Sequence, residues 1–339
     1  MSKLPPKLGH GFKKSAWWRL RIFEICDKII EGVGWFWLAF GLFLIGHGIV
    51  MSFFWGPAVL ISIPMAIVLM LMLSSNELGY LKRRWKVNRI VKSMEGKTLP
   101  PHLKVILEKE VKIFHRLPEN LRPRLEQKMM QFLATIPFKT KGLIKDGFPD
   151  RIRICVAAEA SLLVLNRDFA GYRWLKEVEI YNRIEGASGR ANRESVELEW
   201  EAVQRGLADC TDGHSVTLHE FAHVLDTADD NRAQSIPVYK DSPEYSRWEE
   251  LLDREFDRLW VAHESGEGSV IDSYALKVEH EYVGPERGNP LIRPEFFPCA
   301  TEAFFERPNQ LQGQCPEIYQ LMKEFYRMDP AEWPPLKRT

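Results

Sequence analysis

The sequence lacks the features that mark several common classes of protein. Its five cysteines are scattered and form no Cys-x-x-Cys pair, which argues against a disulfide framework and against a zinc site built from thiolates. Lysine and arginine together number 46, as do aspartate and glutamate, and no basic tract is interleaved with aromatic residues. We therefore expect no nucleic-acid partner. This cysteine usage favours a reducing compartment.

Charged residues are also missing from one long segment near the N-terminus. Residues 32–75 contain no Asp, Glu, Lys or Arg and are dense in aliphatic and aromatic side chains. Because a helix needs about 20 apolar residues to cross a bilayer, the segment is long enough for two helices, at 33–52 and 56–75, with a turn around 55–57. The sequence thus predicts a transmembrane helical hairpin; the alternative is a buried hairpin of a soluble core.

The flanks of this hairpin predict its orientation. Lysine and arginine dominate both sides, and such residues remain on the cytoplasmic side of a membrane, so we expect both ends in the cytoplasm and the hairpin in the inner (cytoplasmic) membrane. The apolar segment starts too late and is too long for a cleaved signal peptide. The predicted organisation is a cytoplasmic N-terminal segment, the hairpin, a linker and a cytoplasmic C-terminal domain, at 1–31, 32–75, 76–100 and 101–339.

The C-terminal domain shows both helical and strand patterns. Strand-like runs occur near 151–158, 177–181 and 195–200. Helical spacing is found before them and again from about residue 212 onward, including an amphipathic helix at about 244–260. Because strands and helices do not alternate regularly, we predict the α+β class.

Two histidines four residues apart carry the strongest chemical signal. The run HEFAH at 219–223 places His219 and His223 on one face of a helix, where both imidazoles can reach one Zn²⁺ ion. Glu220, next to the first histidine, is then placed as the general base for a metal-activated water. Apolar neighbours indicate a helix buried at the floor of a cleft. The alternative is a pair of structural histidines that fall four apart by chance.

A catalytic zinc site needs a third protein ligand, and the residues alone leave it open. Asp229 lies six positions after His223, but Asp226 stands where that arrangement requires a glycine. We interpret Asp226 as an acceptor for an imidazole N–H. The other candidates are carboxylates of a downstream segment: Glu295, Glu302 and Glu306. Spacing places Glu295 and Glu302 on one helix face and does not choose between them.

The order of several motifs resembles a known family. The runs SVELEW, HEFAHVLD, IDSYA, PEFF and ATEAFFERP follow one another, over roughly residues 100–330, as in the MtfA-like zinc peptidases, or glucose-regulated metallopeptidases, whose catalytic domain is similar to lethal-factor-type zincins. The resemblance implies a zincin-like α+β fold, a Zn²⁺ cofactor and a peptide or protein substrate. It also implies Glu295 as the third ligand and Tyr274 as a hydrogen-bond donor to the oxyanion, with SVELEW as an edge strand for the substrate.

The chain departs from that family in three places. It carries an insertion at 275–294, a proline at position 298 and the N-terminal membrane hairpin. With these differences, the sequence predicts a membrane-anchored zinc-dependent peptidase that hydrolyses peptide bonds with Glu220 as general base. The alternative is a membrane-bound regulatory or partner-binding protein whose metal site is structural or vestigial.

Overall fold

The computed structural model describes residues 83–142, 149–227, 234–277, 279–280 and 291–336. The hairpin predicted at 32–75 and the candidate ligand Asp229 lie outside these residues. Within the described ranges, no helix combines the length and apolar character needed to cross a bilayer. Residues Arg84–Thr339 form one compact unit, and the site described below lies in it.

Helices account for most of this unit. They are α1 at 83–93, α2 Pro101–Glu110, α3 Ile113–Arg116, α4 Arg122–Thr135, α5 Pro149–Leu163, α6 Trp200–Ala208, α7 Val216–Asp226, α8 Tyr245–Ser265, α9 Phe296–Glu306, α10 Pro308–Gln314 and α11 Pro316–Tyr326. Single 3₁₀ turns lie at Phe169–Tyr172, Ser273–Leu276 and Pro330–Glu332. The amphipathic helix predicted at about 244–260 is confirmed as α8.

A small mixed sheet accompanies the helices. Its strands are β1 Phe138–Lys141, β2 Glu177–Tyr181, β3 Gly189–Ala191 and β4 Ser195–Glu199. In the described part of the chain their order is β1-β2-β4-β3, with β1 and β4 parallel to β2 and with β3 antiparallel to β4. Every second residue of β2 and β4 is buried, as expected when one face of a sheet covers the core. The strands predicted at 177–181 and 195–200 are confirmed.

Two expectations about strands are wrong. Residues 151–158 belong to α5, in which every residue from 154 to 163 is buried. Arg151 and Arg153 alternate with buried residues at the start of the run as in a strand, and from residue 154 onward every side of the helix is covered, so no helical period is visible. The second error concerns the SVELEW segment: β4 is an interior strand, and the edge position next to it belongs to β3.

Aromatic packing fixes the two helices that carry the site. On one side, the ring of Phe221 in α7 meets Phe132 and Tyr172 edge-on, with centroids 5.6 Å apart in both pairs. On the other side, Phe297 at the start of α9 meets Trp248 and Phe325 at 5.8 and 5.4 Å. Pairs of this geometry contribute about 0.5–1.5 kcal/mol each beyond the area they bury. The two helices also contact each other directly.

Candidate metal centre

Helix α7 presents its two histidines on a single face. The hydroxyl of Ser215 caps the helix by accepting the backbone N–H of Leu218 at 3.2 Å, which satisfies one of the free donors of the first turn. The apolar residues of α7 point into the core, namely Leu218, Phe221, Ala222, Val224 and Leu225. The rings of His219 and His223 lie 5.0 Å apart, with 13% and 12% of their side chains exposed.

Glu295, at the N-cap position of α9, brings a carboxylate to these imidazoles. Its Oε2 atom lies 3.1 Å from Nε2 of His219 and 3.1 Å from Nε2 of His223. The donor atoms of these residues all lie within 4.8 Å of one another. Two imidazoles and one carboxylate, which leave further coordination positions open, are a donor set that catalytic zinc uses. The three residues therefore fit a zinc ion.

Charges at this centre are strongly coupled. Burial alone raises the pKa of Glu295, but hydrogen bonds from His219 and His223 outweigh burial and hold that pKa well below its usual range. Burial lowers the pKa of His219, yet the charge of Glu302, together with hydrogen bonds, raises it well above the usual value. The pKa of His223 is lowered, chiefly by burial. A histidine must be neutral to bind a metal ion, so the raised pKa of His219 makes metal binding dependent on pH.

Glu302 has a different position from Glu295. Its Oε2 atom lies 3.0 Å from Nδ1 of His219, and its Oε1 atom accepts the backbone N–H of Ser215 at 2.8 Å. A carboxylate on the far nitrogen of a ligating histidine fixes the orientation of the ring. Glu302 thus turns Nε2 of His219 toward Glu295. The Cys299 thiol lies close to the same His219 and Glu302.

The remaining acidic candidates take structural contacts. Glu306 accepts the backbone N–H of His214 at 3.0 Å. Asp226, which we interpreted from the sequence as an acceptor for an imidazole N–H, accepts the backbone N–H of Ser235 at 2.7 Å. The carboxylate that lies next to Nδ1 of His219 is that of Glu302. Sequence spacing places Glu302 and Glu295 on the same helix face and does not separate them. The contacts in the folded protein do, because Glu295 faces the Nε2 atoms of both histidines and Glu302 faces Nδ1 of His219.

Glu220 is buried beside His219 and His223 and against the edge strand. A Cβ atom added at Gly189 would lie 2.6 Å from both Cγ and Oε1 of Glu220, so the backbone of β3 approaches the carboxylate at a distance that only glycine permits. Burial raises the pKa of Glu220 to about 7. A carboxylate with that pKa is suited to exchanging protons near neutral pH.

A tyrosine and a lysine line the open side of the centre. Tyr274, in the 3₁₀ turn Ser273–Leu276, is 51% exposed, and its ring centroid lies 5.9 Å from that of His219. The ammonium of Lys277 lies 3.3 Å from Oε1 of Glu295. The sequence analysis missed Lys277, whose one signal is its position three residues after Tyr274.

A known protein family matches the segments of the chain that contain this centre. The family described as glucose-regulated metallo-peptidase M90 matches residues 82–186, 182–284 and 292–327. These segments contain the two histidines, Glu220, Tyr274, Lys277 and Glu295, and they leave 285–291 between them.

Individual relatives are 27–28% identical to the chain over the aligned residues. The chain is 27% identical over 259 residues to Uncharacterized protein slr2042 of Synechocystis sp., which covers 70% of this chain and 88% of that protein. It is 28% identical over 135 residues to Mlc titration factor A of Yersinia pestis and of Yersinia pseudotuberculosis. Those matches cover 39% of this chain and 44% of the relatives, so the chain aligns with less than half of the length of Mlc titration factor A.

Proposed function

Because the chain belongs to the glucose-regulated metallo-peptidase family M90, we propose that it is a zinc-dependent peptidase in which His219, His223 and Glu295 hold the ion. The observation that carries the proposal is the convergence of two imidazole nitrogens on one carboxylate oxygen, at 3.1 Å each. Glu220 lies buried beside them. A purely structural zinc site is closed by four protein ligands and has no use for a base next to an open position.

Glu220 is the proposed general base. When bound, Zn²⁺ polarises a peptide carbonyl and lowers the pKa of a water molecule. The carboxylate of Glu220 takes the proton released as the water attacks and then delivers it to the nitrogen of the departing amine. The close approach of Gly189 restricts the positions that this carboxylate can occupy.

Tyr274 is the proposed donor to the oxyanion. Its phenol ring lies beside His219 and is half exposed. A hydroxyl there donates a hydrogen bond to the oxygen on which negative charge develops during attack on the carbonyl.

We propose an extended peptide, or a flexible segment of a protein, as the substrate. The support is β3, which lies at the edge of the sheet and contains the glycine packed on Glu220. A peptide that adds to this edge through backbone hydrogen bonds lies alongside the base. A helix with HEFAH next to an antiparallel edge strand also supports a zincin-type fold similar to that of lethal-factor proteases.

The proposal includes a membrane anchor at 32–75, with the catalytic domain on the cytoplasmic side. The support is the long uncharged apolar run and the lysine and arginine residues on both flanks. Retention of the chain in carbonate-washed membranes, with the C-terminus protected from protease added outside the cells, tests this arrangement. Release by carbonate contradicts the anchor.

Variants of the full-length protein test the catalytic assignment. Glu220→Gln should keep stoichiometric zinc and lose about 10²–10⁴-fold in kcat, the range expected when a general base is removed. Glu264→Gln, an exposed glutamate of α8, is the matched control and should retain both properties. Metal content and hydrolysis of a broad peptide pool are measured for all variants.

Three outcomes contradict parts of the proposal. A zinc-loaded wild type that cleaves no peptide favours the regulatory or partner-binding protein. Activity that survives Glu220→Gln refutes the role of that residue. Loss of zinc from Glu302→Ala but not from Glu295→Ala makes Glu302 the third ligand.

A further inference from the structure

The two carboxylate oxygens of Glu295 have different partners. Oε2 faces Nε2 of His219 and of His223, each at 3.1 Å. Oε1 is turned away from them and accepts a hydrogen bond from Nζ of Lys277 at 3.3 Å. The environment of Glu295 therefore distinguishes the oxygen directed at the metal position from the oxygen held by an ammonium.

The same lysine contacts the proposed oxyanion donor. Nζ of Lys277 lies 3.5 Å from the hydroxyl of Tyr274 and 5.4 Å from the centre of its ring. The backbone favours this contact, because side chains three residues apart lie nearly above one another around a 3₁₀ turn. The turn is fixed at both ends: Asp272 accepts the N–H of Tyr274 at 2.7 Å, and the N–H of Lys277 reaches the carbonyl of Tyr274 at 3.0 Å.

We propose that Lys277 is a positioning residue that keeps Oε2 of Glu295 directed at the metal position and fixes the position of the Tyr274 hydroxyl. The inference rests on the proposed zinc site. A carboxylate whose Oε1 has no partner can rotate about its Cγ–Cδ bond and carry Oε2 away from the imidazoles. The ammonium that donates to Oε1 opposes this rotation and keeps Oε2 directed at Nε2 of His219 and of His223.

The charge of Lys277 and its hydrogen bond to Glu295 have opposite effects on zinc affinity. A cation near Zn²⁺ repels it, so if Lys277 acted only through its charge, removing the charge would tighten zinc binding. Half of the Lys277 side chain is exposed, and water screens such a repulsion strongly. Loss of a group that orients a metal ligand typically weakens metal binding 10–100-fold. The positioning role therefore predicts weaker binding, and a bystander charge predicts tighter binding.

The experiment compares Lys277→Met and Lys277→Arg in the full-length protein. Zinc affinity is measured by competition with a chromophoric chelator, and kcat and KM are measured at saturating zinc. Lys277→Met should weaken zinc binding 10–100-fold and lower kcat at least tenfold, with KM changed less than threefold. Lys277→Arg, which keeps a donor cation, should recover most of both losses. Lys97→Met, at an exposed lysine between α1 and α2, is the control and should match wild type.

Other results overturn the inference. One is zinc binding in Lys277→Met that is as tight as in wild type or tighter. The other is a Lys277→Arg variant whose zinc affinity and kcat are no higher than those of Lys277→Met. Thermal melting of the zinc-free variants separates misfolding from a local effect. If wild type binds zinc and hydrolyses nothing, the peptidase proposal fails while the affinity ratio still decides the role of Lys277. A wild type that binds no zinc overturns both.

Discussion

Gly189 has no side chain, and this leaves room for the carboxylate of Glu220, the proposed general base. Any residue with a Cβ at this position would overlap Cγ and Oε1 of Glu220 at 2.6 Å, and because those atoms belong to a side chain, Glu220 would move rather than the backbone. The contact joins the edge strand to the HEFAH helix. It explains why β3 begins with a glycine although the backbone there is not left-handed.

Gly189→Ala should therefore damage catalysis and spare zinc. We expect kcat to fall about 10²-fold, since displacements of about 1 Å at a reacting group have effects of that size, with zinc content unchanged. Gly268→Ala is the control, because a Cβ there meets nothing within 4 Å. If Gly189→Ala retains kcat within twofold of wild type, the glycine does not hold Glu220.

The residues that carry the chemistry differ in how far the sequence predicts them. His219, Glu220 and His223 form a local pattern, so helical spacing alone brings them to one face. The orienting role of Glu302 depends on a contact 83 residues away in the chain, and the role of Lys277 depends on the fold of a single 3₁₀ turn. Such roles follow from tertiary contacts that no periodicity encodes, which is why the sequence left Glu302 as a candidate ligand and missed Lys277.

At the scale of elements, Ser235 connects the end of α7 to the start of α9. Its backbone N–H donates to Asp226 at 2.7 Å, its hydroxyl accepts the N–H of Phe297 at 2.8 Å, and the same hydroxyl donates to the carbonyl of Arg293. Ser235 has a φ of 59°, a left-handed conformation that costs roughly 1–2 kcal/mol outside glycine. These bonds hold the histidine helix and the glutamate helix in one register.

Ser235→Ala should loosen this connection. The buried N–H of Phe297 would lose its acceptor, so we expect the free energy of unfolding to fall by about 1–3 kcal/mol and zinc affinity to fall with it. Chemical denaturation of the zinc-free protein measures the first effect. Ser265→Ala, whose hydroxyl bonds only one exposed carbonyl, should change stability by less than about 0.5 kcal/mol. Equal effects of the two variants would contradict the connection.

The elements themselves were partly predictable. Strands β2 and β4 alternate buried and half-exposed residues, and α8 has one apolar stripe, so periodicity identified all three. Helix α5 has no such pattern, because every side of it is covered from residue 154 onward. The sequence therefore predicts a strand there, and that prediction is wrong. The order of strands, which gives the edge to β3, depends on pairings between distant segments and on a three-residue strand too short to carry a period.

At the scale of the whole molecule, the buried acids Glu159, Glu302 and Glu306 lie close enough for their charges to interact. Burial raises the pKa of Glu306 to about 10, helped by the nearby charges of Glu159 and Glu302, and burial raises the pKa of Glu159 to about 7. In an unfolded chain a glutamate has a pKa near 4.3. Between these values folded Glu306 keeps a proton that the unfolded chain releases, so its contribution to stability is complete below the unfolded pKa and declines as pH rises.

Glu306→Gln should remove this dependence on pH. The amide keeps an oxygen for the N–H of His214 and cannot ionise. We therefore expect the variant to gain stability relative to wild type between pH 5 and pH 8, by up to about 4 kcal/mol, because the wild-type difference changes by about 1.36 kcal/mol per pH unit over this range. Denaturant melts of the zinc-free protein at the two pH values give the difference. Glu264→Gln, at an exposed position, should show none. A stability difference that is the same at pH 5 and pH 8 would refute the burial of a protonated carboxyl.

A short antiparallel ladder, Glu279–His280 with Leu291–Ile292, lies in the chain between Lys277 and Glu295. Glu279 and His280 pair with Ile292 and Leu291, two residues after Lys277 and three before Glu295, so the ends of the insertion are joined where it leaves and re-enters the domain. Closing a loop becomes harder only slowly with length, by about 0.6 kcal/mol per doubling. Residues can therefore be added by design between the two strands of the ladder, at a small cost in free energy. The ladder would keep Nζ of Lys277 close to Oε1 of Glu295.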